Sequence, residues 1–264
     1  MIRLVLDTNA WLDWLVFRDA GLEPLRKAHA AGEVEVVIDE ACEAELQRVL
    51  AYDLGKYRLD AEGRDLCLSR MKELSRKVES EPAPLPRCAD PDDQKFLELA
   101  ASARAGALVT KDTALLDLAR RVPFRIVTPA QLALLLAYEN SDYVVFEPRL
   151  VLHVGEPNAA LDELLGSHGE RSAAFLTASN PGSKPRSEAE NQAANRKLLE
   201  SQRALSRTCL EGEGRAPDRG WAEPSFLVLG IALAEAESLG RGFGQNAIVF
   251  CEKGRAPELV LIGL

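Results

Sequence analysis

The sequence predicts an α/β fold with a mainly parallel sheet over residues 1–140, followed by a smaller α+β domain over residues 142–264. Two observations carry this prediction. Short apolar segments alternate with helical segments up to residue 140, which is typical of parallel strands joined by right-handed crossovers. From Asp142 onward the strand pattern restarts, which indicates a second domain.

The strands of the first domain are predicted where short apolar runs lack a helical period, at residues 2–6, 34–38, 107–110 and 125–128. Helices are predicted where apolar residues recur at helical spacing, at residues 10–17, 22–31, 40–52, 61–78 and 129–140. Thr8 and Asn9 are expected to cap the first of these helices. A further helix is predicted to begin at Pro91, with Asp90 as its N-cap.

The second domain is predicted to contain strands at residues 143–146, 150–154, 173–177, 226–229, 246–250 and 258–262. Helices are predicted at residues 158–165, 187–205 and 231–239. Ser187 and Glu190 have the spacing of a capping box, which marks the start of the second of these helices. Residues 221–225 are predicted to form a turn.

The formal net charge is −9, and both halves of the chain are acidic. A nonspecific nucleic-acid binder would usually be basic, so tight unaided binding to long nucleic acid is disfavoured. No run of about 18 apolar residues is present, so we expect no membrane contact and a cytoplasmic location. The five cysteines are odd in number and far apart, which favours reduced thiols over disulfides or a zinc site.

Four carboxylates occupy positions where a soluble core normally has none. Asp7 and Asp112 follow strands at the sheet edge where parallel sheets bind ligands. Glu45 and Asp93 fall on the apolar faces of two helices. The sequence places no basic residue to neutralise them, so a divalent cation, Mg²⁺ or Mn²⁺, is the simplest compensation. The alternative is that Asp93 only complements the dipole of its helix and that Asp112 only begins the next helix.

Four segments together resemble the motifs of PIN-domain nucleases, in particular those regarded as toxins of toxin–antitoxin systems. They are LVLDTNAWLDWLV, IDEACEAELQRVL, ADPDDQKFLELA and ALVTKDTALLDL. The resemblance implies a metal-dependent endoribonuclease in which Asp7, Glu45, Asp93 and Asp112 hold Mg²⁺ or Mn²⁺. It further implies that RNA is cut to leave a 5′-phosphate and a 3′-hydroxyl.

The same resemblance assigns further residues and partners. Asn9 and Thr110 match polar positions that support the acid cluster, and Asp90 and Asp117 match acids of less certain role. An antitoxin protein and a homodimer are the partners it suggests besides RNA. Independently, the basic residues of the predicted 61–78 helix form either a solvated face or a track for phosphates.

The second domain resembles a bacterial family that is known only as a domain of unknown function. Three segments carry this resemblance: AFLTASNPGSKPRSEAENQAANRKL, EGEGRAPDRGWAEPSFLVLGI and FGQNAIVF. Its polar residues either line a pocket for a nucleotide or peptide, or serve as caps and turn formers; they are Asn180, Ser183, Glu190, Asn191, Trp221, Glu223, Gln245 and Asn246. The alternative function for the whole chain is therefore a metal-stabilised binding protein whose second domain binds a protein or nucleotide.

Overall fold

The computed structural model describes residues 1–217 and 220–262. The chain divides into two compact units, Met1–Leu136 and Ala137–Leu264. The sequence had placed this boundary at residue 140, four residues later.

The first unit is built on a parallel sheet with strand order β3-β2-β1-β4-β5. Its strands are β1 (Ile2–Leu6), β2 (Val34–Ile38), β3 (Ser75–Lys77), β4 (Ala107–Val109) and β5 (Arg125–Val127). Its helices are α1 (Thr8–Leu15), α2 (Glu23–Ala30), α3 (Glu40–Leu50), α4 (Ala61–Leu74), α5 (Gln94–Ser102) and α6 (Thr113–Leu116). A seventh helix, α7 (Pro129–Glu139), begins in this unit, and its last residues, from Ala137, belong to the second. The α/β class predicted from the alternating pattern is confirmed.

The central strand β1 explains where the site lies. Leu4, Val5 and Leu6 are all buried, as expected for a parallel strand covered on both faces. Strands β2 and β4 pair with β1 on either side. Asp7 follows β1 directly, and its backbone N–H donates to Val109 O of β4 at 3.1 Å. The sheet therefore brings the ends of β1 and β4 together at one edge.

One helix prediction in this unit was wrong at its end. Residues 61–78 were predicted as a single helix, but α4 ends at Leu74 and Ser75 has an extended backbone. Residues 75–77 instead form β3, which pairs with β2 from Val36↔Ser75 to Ile38↔Lys77. Sheet hydrogen bonds thus override the helical pattern of this basic segment.

The second unit contains a sheet with strand order β12-β11-β8-β10-β9-β6-β7, in which all described pairs are antiparallel. The strands are β6 (Asp142–Val145), β7 (Leu150–Leu152), β8 (Ser172–Leu176), β9 (Cys209–Arg215), β10 (Ala222–Leu229), β11 (Ala247–Glu252) and β12 (Glu258–Leu261). The helices are α8 (Ala159–Ser167), α9 (Glu188–Arg203) and α10 (Leu233–Gly242). This is the predicted α+β arrangement.

One face of this sheet carries a compact apolar core. Its strand residues include Leu176, Phe226 and Ile248, and they pack with Leu198 of α9 and Ala236 of α10. The capping box predicted for Ser187 and Glu190 is confirmed at the start of α9.

Two strand predictions in this unit were wrong. Residues 209–215 were not predicted as a strand, and residues 222–225 were assigned to a turn, yet β9 and β10 pair over both segments. Gly212 in β9 packs very close to β6: a Cβ at this position would lie 2.1 Å from Val144 O. Gly212 is therefore part of the packing between these two strands.

The sequence also led to expectations about membrane-spanning segments and about the cysteines. No helix of the described residues is long and apolar enough to cross a membrane. The five cysteines are free, and Cys42, Cys88 and Cys251 are buried. Burial raises the pKa of the Cys251 thiol to about 12, so this thiol stays protonated.

Candidate active site

Asp7 lies at the centre of the candidate site and is almost completely buried. Its Oδ1 accepts a hydrogen bond from the backbone N–H of Ala10 at 2.6 Å, which makes Asp7 the N-cap of α1. Its Oδ2 accepts one from the hydroxyl of Thr110 at 2.5 Å. The expectation that Thr8 and Asn9 cap this helix was wrong, because the acid before them already does so.

Asp112 is joined to Asp7 through Thr110. The backbone N–H of Asp112 donates to Thr110 Oγ1 at 2.8 Å, and Asp112 Oδ1 caps α6 by accepting from Ala114 N–H at 2.7 Å. Asp112 is thus both a cap and a member of the acid cluster. The fully buried Thr110 fixes the spacing between the two acids.

Asp93 is the third carboxylate of this group and lies half-buried at the start of α5. Burial raises the pKa of Asp93 to about 6, with further increases from the negative charges of Asp112 and Asp90. Burial likewise raises the pKa of Asp7 to about 6, against the lowering effect of its hydrogen bonds, and Asp112 and Asp13 add repulsion. The charge of Asp112 therefore acts on both Asp7 and Asp93.

Glu45 faces inward as predicted, but it is not uncompensated. Lys95 of α5 forms an ion pair with Glu45 Oε2, and the hydroxyl of Thr8 donates to Glu45 Oε1 at 2.6 Å. The side chains of Lys95 and Glu45 are 19% and 14% exposed. The expectation that no basic residue neutralises the acids was wrong for Glu45. The side chain of Lys95, two residues after Asp93, reaches Glu45 on α3.

Of the supporting residues named from the sequence, one lies at the centre of the site and three are exposed. Thr110 is at the centre of the site. Asp90 is exposed and caps a 3₁₀ turn at Pro91–Asp93 by accepting from Asp92 N–H at 2.9 Å. Asn9 and Asp117 are exposed, and neither side chain makes a hydrogen bond or ion pair with the part of the chain that the structure describes.

The structure adds residues that the sequence reasoning missed. Asp13 of α1 is buried, and the ammonium group of Lys111 bridges it at 2.6 Å to Asp19 at 2.8 Å. This pairing raises the pKa of Lys111, so the side chain stays charged next to Asp112. An acid inside the apolar segment AWLDWL was the signal for Asp13, since an unpaired charge is rarely buried there.

The donor chemistry of the site suits a hard divalent cation. None of the ion pairs among the described residues involves Asp7, Asp93 or Asp112, although the charge of Lys95 acts on Asp93 and lowers its pKa. Carboxylate oxygens are the ligands that Mg²⁺ and Mn²⁺ prefer. The geometry is not preformed: within residues 1–217 and 220–262, no three His, Cys, Asp or Glu side chains converge closely enough to hold one ion. Binding would therefore require side-chain rotation, and Glu45 would have to leave Lys95.

Several basic residues of the suggested phosphate track form ion pairs with acidic side chains of this chain. Lys72 and Lys77 both pair with Glu43 at 3.1 Å, and Arg76 pairs with Glu35 at 2.6 Å. These contacts favour the interpretation of this segment as a solvated, internally paired face.

Comparison with known proteins agrees with both resemblances. Residues 3–114 match the PIN domain family, and residues 176–248 match a family described as a protein of unknown function, DUF3293. A search of curated proteins gave no match. Among solved structures, the crystal structure of PAE2754 from Pyrobaculum aerophilum is 19% identical, covers 52% of this chain and 90% of that chain, and has a TM-score of 0.37. The first part of the chain is thus similar to the PIN domain family, and part of the second unit is similar to the DUF3293 family.

Proposed function

We propose that the PIN domain, over residues 1–140, is an endoribonuclease that depends on Mg²⁺ or Mn²⁺. The observation that carries this proposal is that Asp7 and Asp93 are acids whose pKa is raised by burial and also by the negative charge of Asp112. Structural acids are normally paired or solvated, whereas carboxylates whose pKa is raised by burial and a neighbouring charge are typical of functional centres. The nuclease type of the domain supplies the reaction class.

Each residue of the site has a distinct task in this proposal. Asp7, Asp93 and Asp112 would hold the cation, with Glu45 joining them once it is released from Lys95. A divalent cation supplies an activated water and stabilises the charge that develops on the phosphate. Thr110 holds Asp7 Oδ2 and the backbone of Asp112 in fixed positions. Cleavage leaves a 5′-phosphate and a 3′-hydroxyl.

The biological setting of this activity is a second part of the proposal. The resemblance to toxins of toxin–antitoxin systems supports a toxin in the cytoplasm, an antitoxin that blocks the acidic site, and a homodimer. The acidic net charge of −9 supports a substrate that is held locally at the site, because the protein as a whole repels long polyanions.

Cleavage of a mixed RNA pool by the full chain, with Mn²⁺ or with EDTA, tests the proposal. We expect cleavage with Mn²⁺ alone and a loss of at least about a hundredfold in Asp7→Asn and Asp93→Asn. Asp92→Asn is the matched control, because Asp92 is exposed and adjacent to Asp93. Equal cleavage by Asp93→Asn and Asp92→Asn would refute the assignment of the site.

A second candidate function rests on the ion pair between Lys95 and Glu45. That pair neutralises one acid without a cation, as expected if the cluster only stabilises the fold and the second domain performs the binding. Calorimetry separates the two functions: Mn²⁺ binding that is lost in Asp7→Asn, without cleavage of any RNA in the pool, supports this alternative.

A further inference from the structure

The second unit contains a cavity on the sheet face opposite its apolar core. Glu223 pairs with Gly214, Gly214 pairs with Tyr143, and Phe175 pairs with Leu227, so these residues share one face of the sheet. Tyr143 and Phe175 are buried, whereas Glu223 is half-buried. The cavity thus has a buried aromatic floor and a carboxylate nearer its mouth. Its lining also includes Tyr138, Thr177, Trp221, Ser225 and Gln245.

Three hydroxyl groups that line the cavity donate their hydrogen bonds to backbone carbonyl oxygens. Thr177 donates to Pro224 O at 2.8 Å, Ser225 donates to Glu223 O at 3.0 Å, and Tyr143 donates to Tyr138 O at 2.9 Å. The oxygens of Ser225 and Tyr143 therefore remain as acceptors, and Thr177 Oγ1, which also accepts from Ser179 N–H at 3.0 Å, retains one lone pair.

The side-chain amide of Gln245 also donates its hydrogen bond within the protein. Its Nε2 donates to Ser179 O at 2.9 Å, which leaves its Oε1 as an acceptor. Apart from the indole N–H of Trp221 and the hydroxyl of Tyr138, the polar lining is therefore dominated by hydrogen-bond acceptors, and a complementary ligand is rich in donors.

Glu223 adds a negative charge with an incomplete set of partners. Its Oε1 accepts from Asn180 Nδ2 at 2.6 Å, and its Oε2 accepts no hydrogen bond from a described residue. Asn180 is held in this orientation because its Oδ1 accepts from Asn191 Nδ2 at 3.0 Å and from Arg186 N–H at 2.9 Å. No Lys, Arg or His is among the described residues of the lining. Burial raises the pKa of Glu223, as expected for a carboxylate without a cationic partner.

The volume of the cavity limits which donor-rich ligands can bind. Its volume is about 50 Å³, which is room for roughly four water-sized groups at 10–15 Å³ each. A nucleobase is too large for this space, whereas the end of an alkylammonium chain fits it. The lining includes the aromatic residues Tyr138, Tyr143, Phe175 and Trp221, and an aromatic ring attracts positive charge where its face is presented.

We propose that this cavity binds the ammonium group of a primary alkylamine, either a free amine or the side chain of a lysine in a peptide. Glu223 balances the positive charge and the surrounding oxygens accept the N–H donors. This inference goes beyond the nuclease activity, since it concerns the second unit alone and requires neither RNA nor a metal ion.

Titration of the full chain with n-propylammonium chloride tests the proposal, with the indole N–H signal of Trp221 followed by NMR. The signal is assigned with Trp221→Phe. We expect saturable binding with a dissociation constant on the order of millimolar, because so few ligand atoms make contact. Glu223→Gln should weaken binding roughly tenfold or more. Glu211→Gln is the matched control, because Glu211 is an exposed acid on the neighbouring strand β9.

Two further titrations identify the source of the ammonium group. The peptide acetyl-Gly-Lys-Gly-amide should bind more tightly than propylammonium if a protein lysine is the natural ligand, and more weakly if a free amine is. Uncharged 1-propanol should not compete. Circular dichroism establishes that Glu223→Gln is folded, and Asn180→Ala gives a second variant that removes the partner of Glu223. The proposal is overturned if propanol binds as well as the amine, if folded Glu223→Gln binds like the wild type, or if neither amine saturates below about 100 mM.

Discussion

The hydroxyl of Thr110 donates to Oδ2 of Asp7 at 2.5 Å and accepts the backbone N–H of Asp112 at 2.8 Å. One buried side chain thus sets the distance between two acids that are 105 positions apart in the sequence.

Thr110→Val keeps the shape of this side chain and removes both hydrogen bonds. We expect the pKa of Asp7 to rise above its value of about 6, because the bond from Thr110 favours the carboxylate. The acid limb of the pH–cleavage profile should then move to higher pH, and the free energy of unfolding should fall by about 1–3 kcal/mol. Thr113→Val is the control, since Thr113 is exposed. An unchanged acid limb would show that ionisation of Asp7 does not limit cleavage.

The raised pKa of Asp7 also determines how the free energy of unfolding depends on pH. The pKa is about 6 in the folded state and 3.8 in the reference state, so the folded protein holds more protons between pH 4 and 6. Stability should therefore fall as pH rises through this window, by up to about 3 kcal/mol, and the penalty is complete above pH 6.

Asp7→Asn should remove the part of this pH dependence that Asp7 contributes, leave the part due to Asp93, whose pKa is also raised to about 6, and be more stable than the wild type at pH 8 in EDTA. Thermal unfolding at pH 5 and pH 8 measures the effect, and Asp92→Asn should retain the wild-type slope. A wild-type melting temperature that rises from pH 5 to pH 8 would contradict the assignment of the penalty to Asp7.

Much of the first unit could be predicted because its strands and helices differ in hydrophobic period. The run Val34–Ile38 is a complete strand in both prediction and structure. Residues 75–77 could not be predicted, since their extended form depends on pairing with β2, which is about 40 residues away. Residues 209–215 were likewise not predicted as a strand, although Gly212 allows close contact between β9 and β6.

The candidate site shows the same limit. The sequence could identify the acids, because carboxylates after buried strands or inside apolar stripes are exceptional. It could not show that Lys95 turns back to Glu45, since a flexible side chain on one helix reaches another only through the tertiary fold. The link between Lys111 and the acids Asp13 and Asp19 was missed for the same reason.

Lys95→Met tests whether the ion pair restrains the site. The change removes the charge but keeps most of the apolar stem, so Glu45 becomes free to turn toward the other acids. We expect Mn²⁺ to bind roughly tenfold more tightly by calorimetry, because the cation no longer competes with an ammonium group. Lys77→Met is the control, since Lys77 is exposed and pairs with Glu43. Equal affinity in Lys95→Met and the wild type would show that Glu45 is not a ligand.

Gly212→Ala tests the packing of the second sheet. A Cβ at this position would lie 2.1 Å from Val144 O, which is backbone and cannot move without disrupting the pairing of β6 and β9. We expect the free energy of unfolding of this unit to fall by about 3 kcal/mol or more. Gly242→Ala is the control, because nothing lies within 4 Å of its Cβ position. Equal denaturation midpoints for the two variants would contradict the close approach.

The edge strand β3 has a consequence for how this protein behaves at high concentration. It is only three residues long, and its Arg76 and Lys77 are tied to Glu35 and Glu43. A short, charged strand is a poor template for a strand from another molecule. Arg76 and Lys77, which belong to the segment that suggested a track for phosphates, thus disfavour aggregation. They disfavour the pairing of β3 with a strand of a neighbouring chain.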